Sequence, residues 1–559
     1  MSSIRTDTRR LLGQHFTPEP LVRLVCALGI ASPEARVLDP ACGEGAFLRG
    51  AIERLRQLGR SKPHRSQVCG FEVDPVHAAA ARAVPGAEIR SADFFAQELR
   101  PEFDSVVGNF PFVRQELLKG RKEFLGGVVR REWAGAFPEI STLSGRADLY
   151  LYFFLHAARC LRDGGRMAVI SGNSWLHVPY GALLRKFLLE KLSLQMVLES
   201  RAEVWFPHTV VNAAVTVLEK TPPRGHDVLF VQINAPLAAD ADYPAGRLPP
   251  GWLVTRTPAA ALAAEPNWNT RLRAPAVYFD ILGRAGSSLV ELRRLAVVRR
   301  GVTTGLNKFF FVGKANAAAL RIEPQFLAPV IASLKGVKSL VLRPADARHY
   351  LLLADKSREV LHGTNALKYI TDFENSGTLP AHSPTLQGRT DWYRLPAPPR
   401  ADLAILRFRR ERHFSPANPQ RILLGDTVFT AEFADRAAVP LLCAAANGTL
   451  FHFLAEAAGR DNMGGGFITT YGPEIRSLRL PAPERLKPFE AKLLAAFEKL
   501  ARRDVETMEQ ELHHADRREL DEIIWRALGL PPGMLDDLYE SFARMLTSRR
   551  EFGMLSRGR

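Results

Sequence analysis

The sequence lacks any run of about 18 uncharged apolar residues, the length a membrane-spanning helix requires, so no membrane partner is expected. The opening MSSIRTDTRRLLGQ has arginines but no apolar stretch behind them, so no signal peptide is indicated and a cytoplasmic location is expected. Cysteine is sparse: five residues, at 26, 42, 69, 160 and 443, none at metal-ligand spacing. An odd, scattered set fits reduced core thiols and argues against a disulfide framework or a zinc site, so no metal is expected. None of the five sits in the Pro-Cys context of a thiolate nucleophile. The chain also lacks a P-loop, which argues against an ATP-driven motor subunit, and it shows no nuclease signature and no internal repeat.

What is present is length, apolar content and positive charge. A chain of 559 residues suggests three or so folding units. Hydrophobic residues make up 46%, enough for a sizeable core. Lysine and arginine number 75 against 59 acidic residues, a formal charge of +16. That balance favours a polyanionic partner; an arginine-rich coding bias is the plainer explanation of the same excess.

Between Arg36 and about Lys220, short apolar runs alternate with amphipathic stretches. RVLDPA (36–41), QVCGFEVD (67–74), FDSVVGN (103–109), MAVISG (167–172) and VNAAVTVLEK (211–220) read as strands. Ala46 to Leu58 and VHAAAARA (76–83) read as helices. Strands separated by helical patterns mean βαβ units and a parallel sheet. Pro222 and Pro223 end this run, and an Ala/Pro/Gly-rich stretch follows that reads as a connector. A second region from about Leu289 to Pro481 holds short β-like pieces, KFFFVG (308–313), RILLGDTVF (421–429) and FITTYG (467–472). From Lys487 onward the pattern is helical, and His513 and His514 fall on a polar face, where they read as solvated. The expected organisation is a catalytic domain over 1–235, a connector over 236–288, a second α+β domain over 289–484 and a helical segment over 485–559.

DPACGEGAFL (39–48) follows a strand and opens a helix. Gly43 and Gly45 permit a tight turn and close backbone approach to a ligand. The spacing is G-x-G, shorter than the G-x-G-x-x-G that cradles a pyrophosphate. S-adenosylmethionine has no phosphate and offers an amino-acid tail and a ribose. Asp39 suits its ammonium group, and Ala41 lies in the same loop. Glu72 ends the second strand, where a carboxylate can accept ribose hydroxyls. Asp93 stands where a third strand ends and can accept from an adenine amino group, with Phe94 packing on the ring. Taken singly, Glu72 or Asp93 could equally be a helix N-cap; the three features fall in order at strand ends, where open α/β sheets bind ligands.

FDSVVGNFPFVRQE (103–116) holds a different chemistry. Asn109 offers a side-chain carbonyl and Phe110 a main-chain carbonyl. Two such acceptors suit the two N–H bonds of an exocyclic amine, whose lone pair is delocalised until the nitrogen is drawn toward a tetrahedral shape. Pro111 biases Phe110 toward extended geometry, and Phe112 can stack on a base.

This order of motifs resembles the gamma class of DNA adenine-N6 methyltransferases, the TaqI-like enzymes of restriction–modification systems. The family motif reads Asn-Pro-Pro-Tyr/Phe; Asn109-Phe110-Pro111-Phe112 departs at its second position, exchanging a ring-fixed φ for a freer residue. The resemblance implies an α/β fold: a Rossmann-like methyltransferase domain with a mixed, mainly parallel sheet, an α+β target-recognition domain and C-terminal helices. It implies S-adenosylmethionine as cofactor and transfer of its methyl to N6 of an adenine flipped out of double-stranded DNA. FTPEPLVRLV (16–25) resembles the motif that closes over the methionine tail, with Thr17 the implied contact. Phe153 falls where the family packs an aromatic on the cofactor adenine; helix core is the plainer reading of that residue. Phe206 matches the aromatic of the target-base pocket. In the recognition region, RRGVTTGLNKFFFVG (299–313) carries the family's Thr-Gly-x-Asn turn, GRTDWYRL (388–395) an exposed-looking Trp392-Tyr393 pair and LRFRRERHF (406–414) a basic run. Arg299, Arg300, Asn307, Lys308, Trp392, Arg407, Arg409 and Arg410 are the implied DNA contacts. A cognate restriction endonuclease or other defence proteins are the further partners implied. RNA or protein-amide N-methylation poses the same lone-pair problem, and the Phe110 departure leaves room for a catalytically impaired DNA-binding homologue.

Overall fold

Strands of three to twelve residues, spaced by helices, assemble the first half of the chain into a single sheet. The computed structural model describes residues 16–557 apart from 114, 119, 207–211, 224, 239–242, 244–247, 381–382 and 462–465. The chain divides into two compact units, the first running through Ala274 and the second holding Pro275–Asp461 and Gly466–Arg550.

In the first unit the strands are β1 (Val37–Asp39), β2 (Val68–Phe71), β3 (Glu88–Arg90), β4 (Phe103–Asn109) and β5 (Leu161–Gly172). They are followed by β6 (Ser193–Ser200), β7 (Ala213–Glu219), β8 (Asp227–Ile233) and β9 (Leu253–Pro258). Their spatial order is β3-β2-β1-β4-β5-β7-β6-β8-β9. From β3 to β5 all pairings are parallel. β7 runs antiparallel to both β5 and β6, β6 pairs parallel with β8, and β9 closes the edge antiparallel to β8. Central strands such as β4 are buried nearly throughout, as a sheet covered on both faces requires. Helix α1 (Glu19–Gly29) turns Leu21, Leu24 and Val25 into one core, shared with α2 (Ala46–Gln57). On the other face, α3 (Lys122–Trp133) and α4 (Leu149–Cys160) pack a second core rich in aromatics. All five cysteines are buried and unpaired, in keeping with core thiols.

The second unit holds small sheets around two cores. Strands Ala296–Arg300, Val428–Phe433 and Leu403–Leu406 form an antiparallel trio. Phe311–Gly313, His349–Leu352, Leu327–Ile331 and Leu423–Leu424 form a mixed sheet of four. KFFFVG is not wholly a strand: Asn307–Phe310 makes a helical turn before the strand begins at Phe311.

The expected segmentation needs correcting at two places. The stretch 236–288 is not a connector. β9 is a strand of the main sheet, Trp268 is fully buried against Trp175, and Val277, Ile281 and Ala285 join the core of the second unit. Nor is 485–559 a separate segment: Leu486, Leu493, Ile524 and Leu538 share that same core with Leu292 and Leu403. Among the described residues no single helix is long and apolar enough to cross a membrane.

Candidate active site at the carboxyl edge of the sheet

Because β1, β2, β3 and β4 are parallel neighbours, the loops that follow them leave the sheet on one side. There the first unit holds a cavity of about 460 Å³, within the range of small-molecule sites. Pro40 to Glu44 after β1, Glu72 after β2, Asp93 and Phe94 after β3, and Asn109 and Pro111 after β4 all contribute to its wall.

The loop after β1 is held from within. Glu72 is buried, its Oε2 accepting from the Gly43 amide at 2.8 Å and its Oε1 from the Asp74 amide at 2.8 Å. Gly43 (φ 53°) and Gly45 (φ 87°) adopt the left-handed backbone that favours glycine. A Cβ on Gly45 would meet Val84 Cγ2 at 2.8 Å, whereas one on Gly43 would meet nothing within 4 Å and faces the cavity. Asp39 does not form the cavity wall; it lies beneath the loop, 1% exposed, with Oδ1 accepting from the Ala41 amide at 3.1 Å. Its Oδ2 is buried without a hydrogen-bond partner. Burial pushes the Asp39 carboxyl up to about 8; the Ala41 amide opposes this and the charge of Glu72 adds to it.

Asp93 does two things at once. Its Oδ1 accepts from the Phe95 amide at 3.1 Å, and its Oδ2 pairs with Arg121, a residue that the sequence reading passed over. Phe94 and Phe153 stack at 5.9 Å, and both line the cavity. His156 braces this wall, its Nε2 donating to the Phe94 carbonyl at 3.0 Å and its ring stacking on Phe95 at 4.8 Å.

Asn109 ends β4 with its side chain at the cavity wall. Its Nδ2 donates to Thr17 Oγ1 at 3.2 Å, and its Oδ1 is buried with no hydrogen-bond partner among the described residues. Phe110 departs from the family motif without intruding. Its ring is fully buried against Phe153 at 5.4 Å and Phe154 at 5.1 Å, and its amide donates to the Ile170 carbonyl at 2.9 Å. Phe112 and Phe206 do not line the cavity but meet edge to face at 5.3 Å.

In the second unit the implied contacts separate by exposure. Arg299, Arg300, Asn307, Lys308 and Arg410 are exposed. Arg300 is engaged with Asp426 at 3.0 Å, and Asn307 Oδ1 accepts from the Thr304 hydroxyl. Arg407 lies between Phe408 and Tyr471, 4.8 and 5.1 Å from their rings. Arg409 is a correction: it is 1% exposed, donates to Thr470 Oγ1 at 2.7 Å and cannot reach an outside partner. The Trp392-Tyr393 pair is another. Trp392 packs on Phe309 at 4.6 Å and donates to Glu374 Oε1 at 2.7 Å, and Tyr393 is 1% exposed.

The sequence reading also missed Phe16, His77 and Arg121 at the cavity. Phe16 stands 80% exposed beside Thr17, an aromatic before the Thr-Pro that could have been noticed. Arg121 had no signal, since one arginine in a loop looks like any surface charge.

Residues 1–242 match the family described as N-6 DNA Methylase, and residues 281–520 match the C-terminal domain of Type II methyltransferase M.Eco57I. Among curated proteins, Type II methyltransferase M.TthHB8I of Thermus thermophilus is 34% identical over 221 residues, 38% of this chain and 46% of that protein. Type II methyltransferase M.XamI of Xanthomonas campestris pv. amaranthicola is 29% identical over 317 residues, 54% of each chain. The matched stretches thus span about half the length of these relatives. Among solved structures, the Type IIL restriction-modification enzyme MmeI, in complex with DNA, superposes with a TM-score of 0.58 at 13% identity, covering 97% of this chain and 76% of that one, which shows a shared fold.

Proposed function

We propose that the chain, whose residues 1–242 match the N-6 DNA Methylase family, methylates N6 of an adenine flipped out of double-stranded DNA, at a specific site. The family implies S-adenosylmethionine as the methyl donor. The residues present fit that molecule. The cavity is of small-molecule size, Gly43 leaves open backbone where a ligand approaches, and carboxylates and aromatic rings line the wall in place of a phosphate cradle. We assign Glu72 to the ribose hydroxyls, Asp93 and its Phe94–Phe153 wall to the adenine end, and Ala41, Gly43 and Thr17 to the amino-acid tail. Asp39 and Gly45 act from behind, shaping the loop. When bound, S-adenosylmethionine supplies an electrophilic methyl group on a sulfonium.

The chain supplies the acceptors. The single observation that carries the reading is at Asn109: the residue lines the cavity, and its side-chain carbonyl oxygen is buried without a hydrogen-bond partner among the described residues. A buried acceptor left unmet costs about 1–3 kcal/mol, and a target N–H removes that cost. With the Phe110 carbonyl as second acceptor, the amine is drawn toward a tetrahedral nitrogen whose lone pair is localised. The buried Phe110 ring argues that the departure from Asn-Pro-Pro-Phe leaves this function intact, since packing against Phe153 (tilted) and Phe154 (edge to face) now holds what a proline ring held. Phe112 and Phe206 would flank the extruded base. The motif order, with the cofactor loop before Asn109 and the recognition region last, supports the gamma class. The Type II methyltransferase relatives favour DNA over RNA or protein amides and a restriction–modification setting, with a cognate endonuclease or other defence protein as partner.

The test is Asn109→Ala. Radiolabelled methyl transfer to duplex DNA should fall by at least about a hundredfold, the usual size of losing one preorganised hydrogen bond at a reacting centre. Binding of S-adenosylhomocysteine should change little. A fully active variant would remove Asn109 from the mechanism, and label recovered only in RNA or protein would remove DNA as the substrate.

A further inference from the structure

Thr17 precedes α1 and Asn109 ends β4, yet their side chains meet 92 positions apart in sequence, Asn109 Nδ2 donating to Thr17 Oγ1 at 3.2 Å. Thr17 is 7% exposed, and both residues line the cavity. A primary amide has two ends of opposite character, and either can face outward. If the NH₂ end faced an incoming amine, donor would meet donor. The Thr17 lone pairs take the NH₂ end, which leaves Oδ1 as the unmet acceptor. The Thr17 O–H makes no other hydrogen bond among the described residues, so it is free to donate to an acceptor in the cavity. A carboxylate there, such as the amino-acid end of the cofactor, would fix the hydroxyl with its lone pairs toward Asn109.

We propose that Thr17 is a positioning residue for methyl transfer: its hydroxyl holds the Asn109 amide with the carbonyl oxygen toward the target amine, so the contact that receives the cofactor's tail also sets the group that grips the base. This rests on the assignment of Asn109 above.

Thr17→Val keeps the shape and removes the lone pairs, whereas Thr17→Ser keeps the hydroxyl. Both are compared with the wild type at saturating S-adenosylmethionine, after melting curves show that both are folded. In Thr17→Val, kcat should fall roughly tenfold or more, the scale of one lost hydrogen bond; in Thr17→Ser it should stay within about threefold. Full recovery of kcat in Thr17→Val at saturating cofactor would overturn the proposal, because the hydroxyl would then serve the cofactor alone. Equal losses in Val and Ser would also overturn it. Neutron crystal structures of the two variants, which separate the amide nitrogen from the oxygen, give a readout independent of turnover: the Asn109 amide should turn or leave its position in Thr17→Val and keep both position and orientation in Thr17→Ser. If the wild type transfers no methyl to DNA, the functional reading fails, while an Asn109 amide unmoved and unturned in Thr17→Val still decides against the positioning role.

Discussion

Asp39 shows how one buried carboxyl can write itself into the pH response. Its folded-state value near 8 lies well above the ordinary value near 4. Between those limits the native chain holds a proton that the unfolded chain has lost, so this group's contribution to stability falls as pH rises from about 4 to 8 and is flat above. Asp39→Asn has no charge to bury. It should melt at about the wild-type temperature at pH 5 and several degrees higher at pH 9, read by differential scanning calorimetry at both values. Equal melting at pH 9 would mean that the carboxyl ionises freely in the folded chain. Sequence alone placed Asp39 against a ligand's ammonium; only the fold shows that the loop covers it. The same holds for Arg409. It alternates with Phe408 along a strand, and period two sends Phe408 outward and Arg409 in, a face choice that composition cannot make.

At the scale of elements, the loop between β1 and α2 separates two jobs that glycine performs. Gly45→Ala forces both a left-handed backbone and a clash with Val84, and should destabilise the protein by about 1–3 kcal/mol whether or not ligand is present. Gly43→Ala has only the backbone strain, about 1–2 kcal/mol, but sets a methyl on the cavity side. Its affinity for S-adenosylhomocysteine should drop roughly tenfold or more, the size of one CH₂-scale steric conflict in a fitted site. Denaturant melts and calorimetric titration separate the two; the reverse pattern would reassign the glycines. The loops after β1 and β2 were legible in the sequence because parallel strands buried on both faces read as short apolar runs; β3, which reads EIR and is only half-buried, carries no such run. β9 was not legible. An edge strand reading LVTRTP, mostly exposed, has the composition of a linker, and its partner β8 is what makes it a strand. Trp392 was misread for a similar reason: its burial depends on Phe309 and Phe373, neither near it in sequence.

For the whole molecule, the proposed binding to DNA should weaken linearly in log–log terms as salt rises, because phosphate contacts release counterions, and a formal charge of +16 suits such a partner. Arg299 and Arg410 are exposed and are the residues to test; Arg409, buried, is the control. Arg299→Ala and Arg410→Ala should each lower the salt slope by about one while leaving stability within about 0.5 kcal/mol. Arg409→Ala should act on stability first. A slope unchanged in both exposed variants would move the phosphate contacts elsewhere.

The sheet's strand order also bears on how the protein is made. β5 and β6 share no ladder; β7, later in the chain than both, lies between them and bonds to each. While a ribosome is still short of Ala213, β5 and β6 therefore both lack the strand that will join them, and their facing edges are unpaired. Insertion of β7 closes that gap, and β8 and β9 then extend the sheet to its final edge.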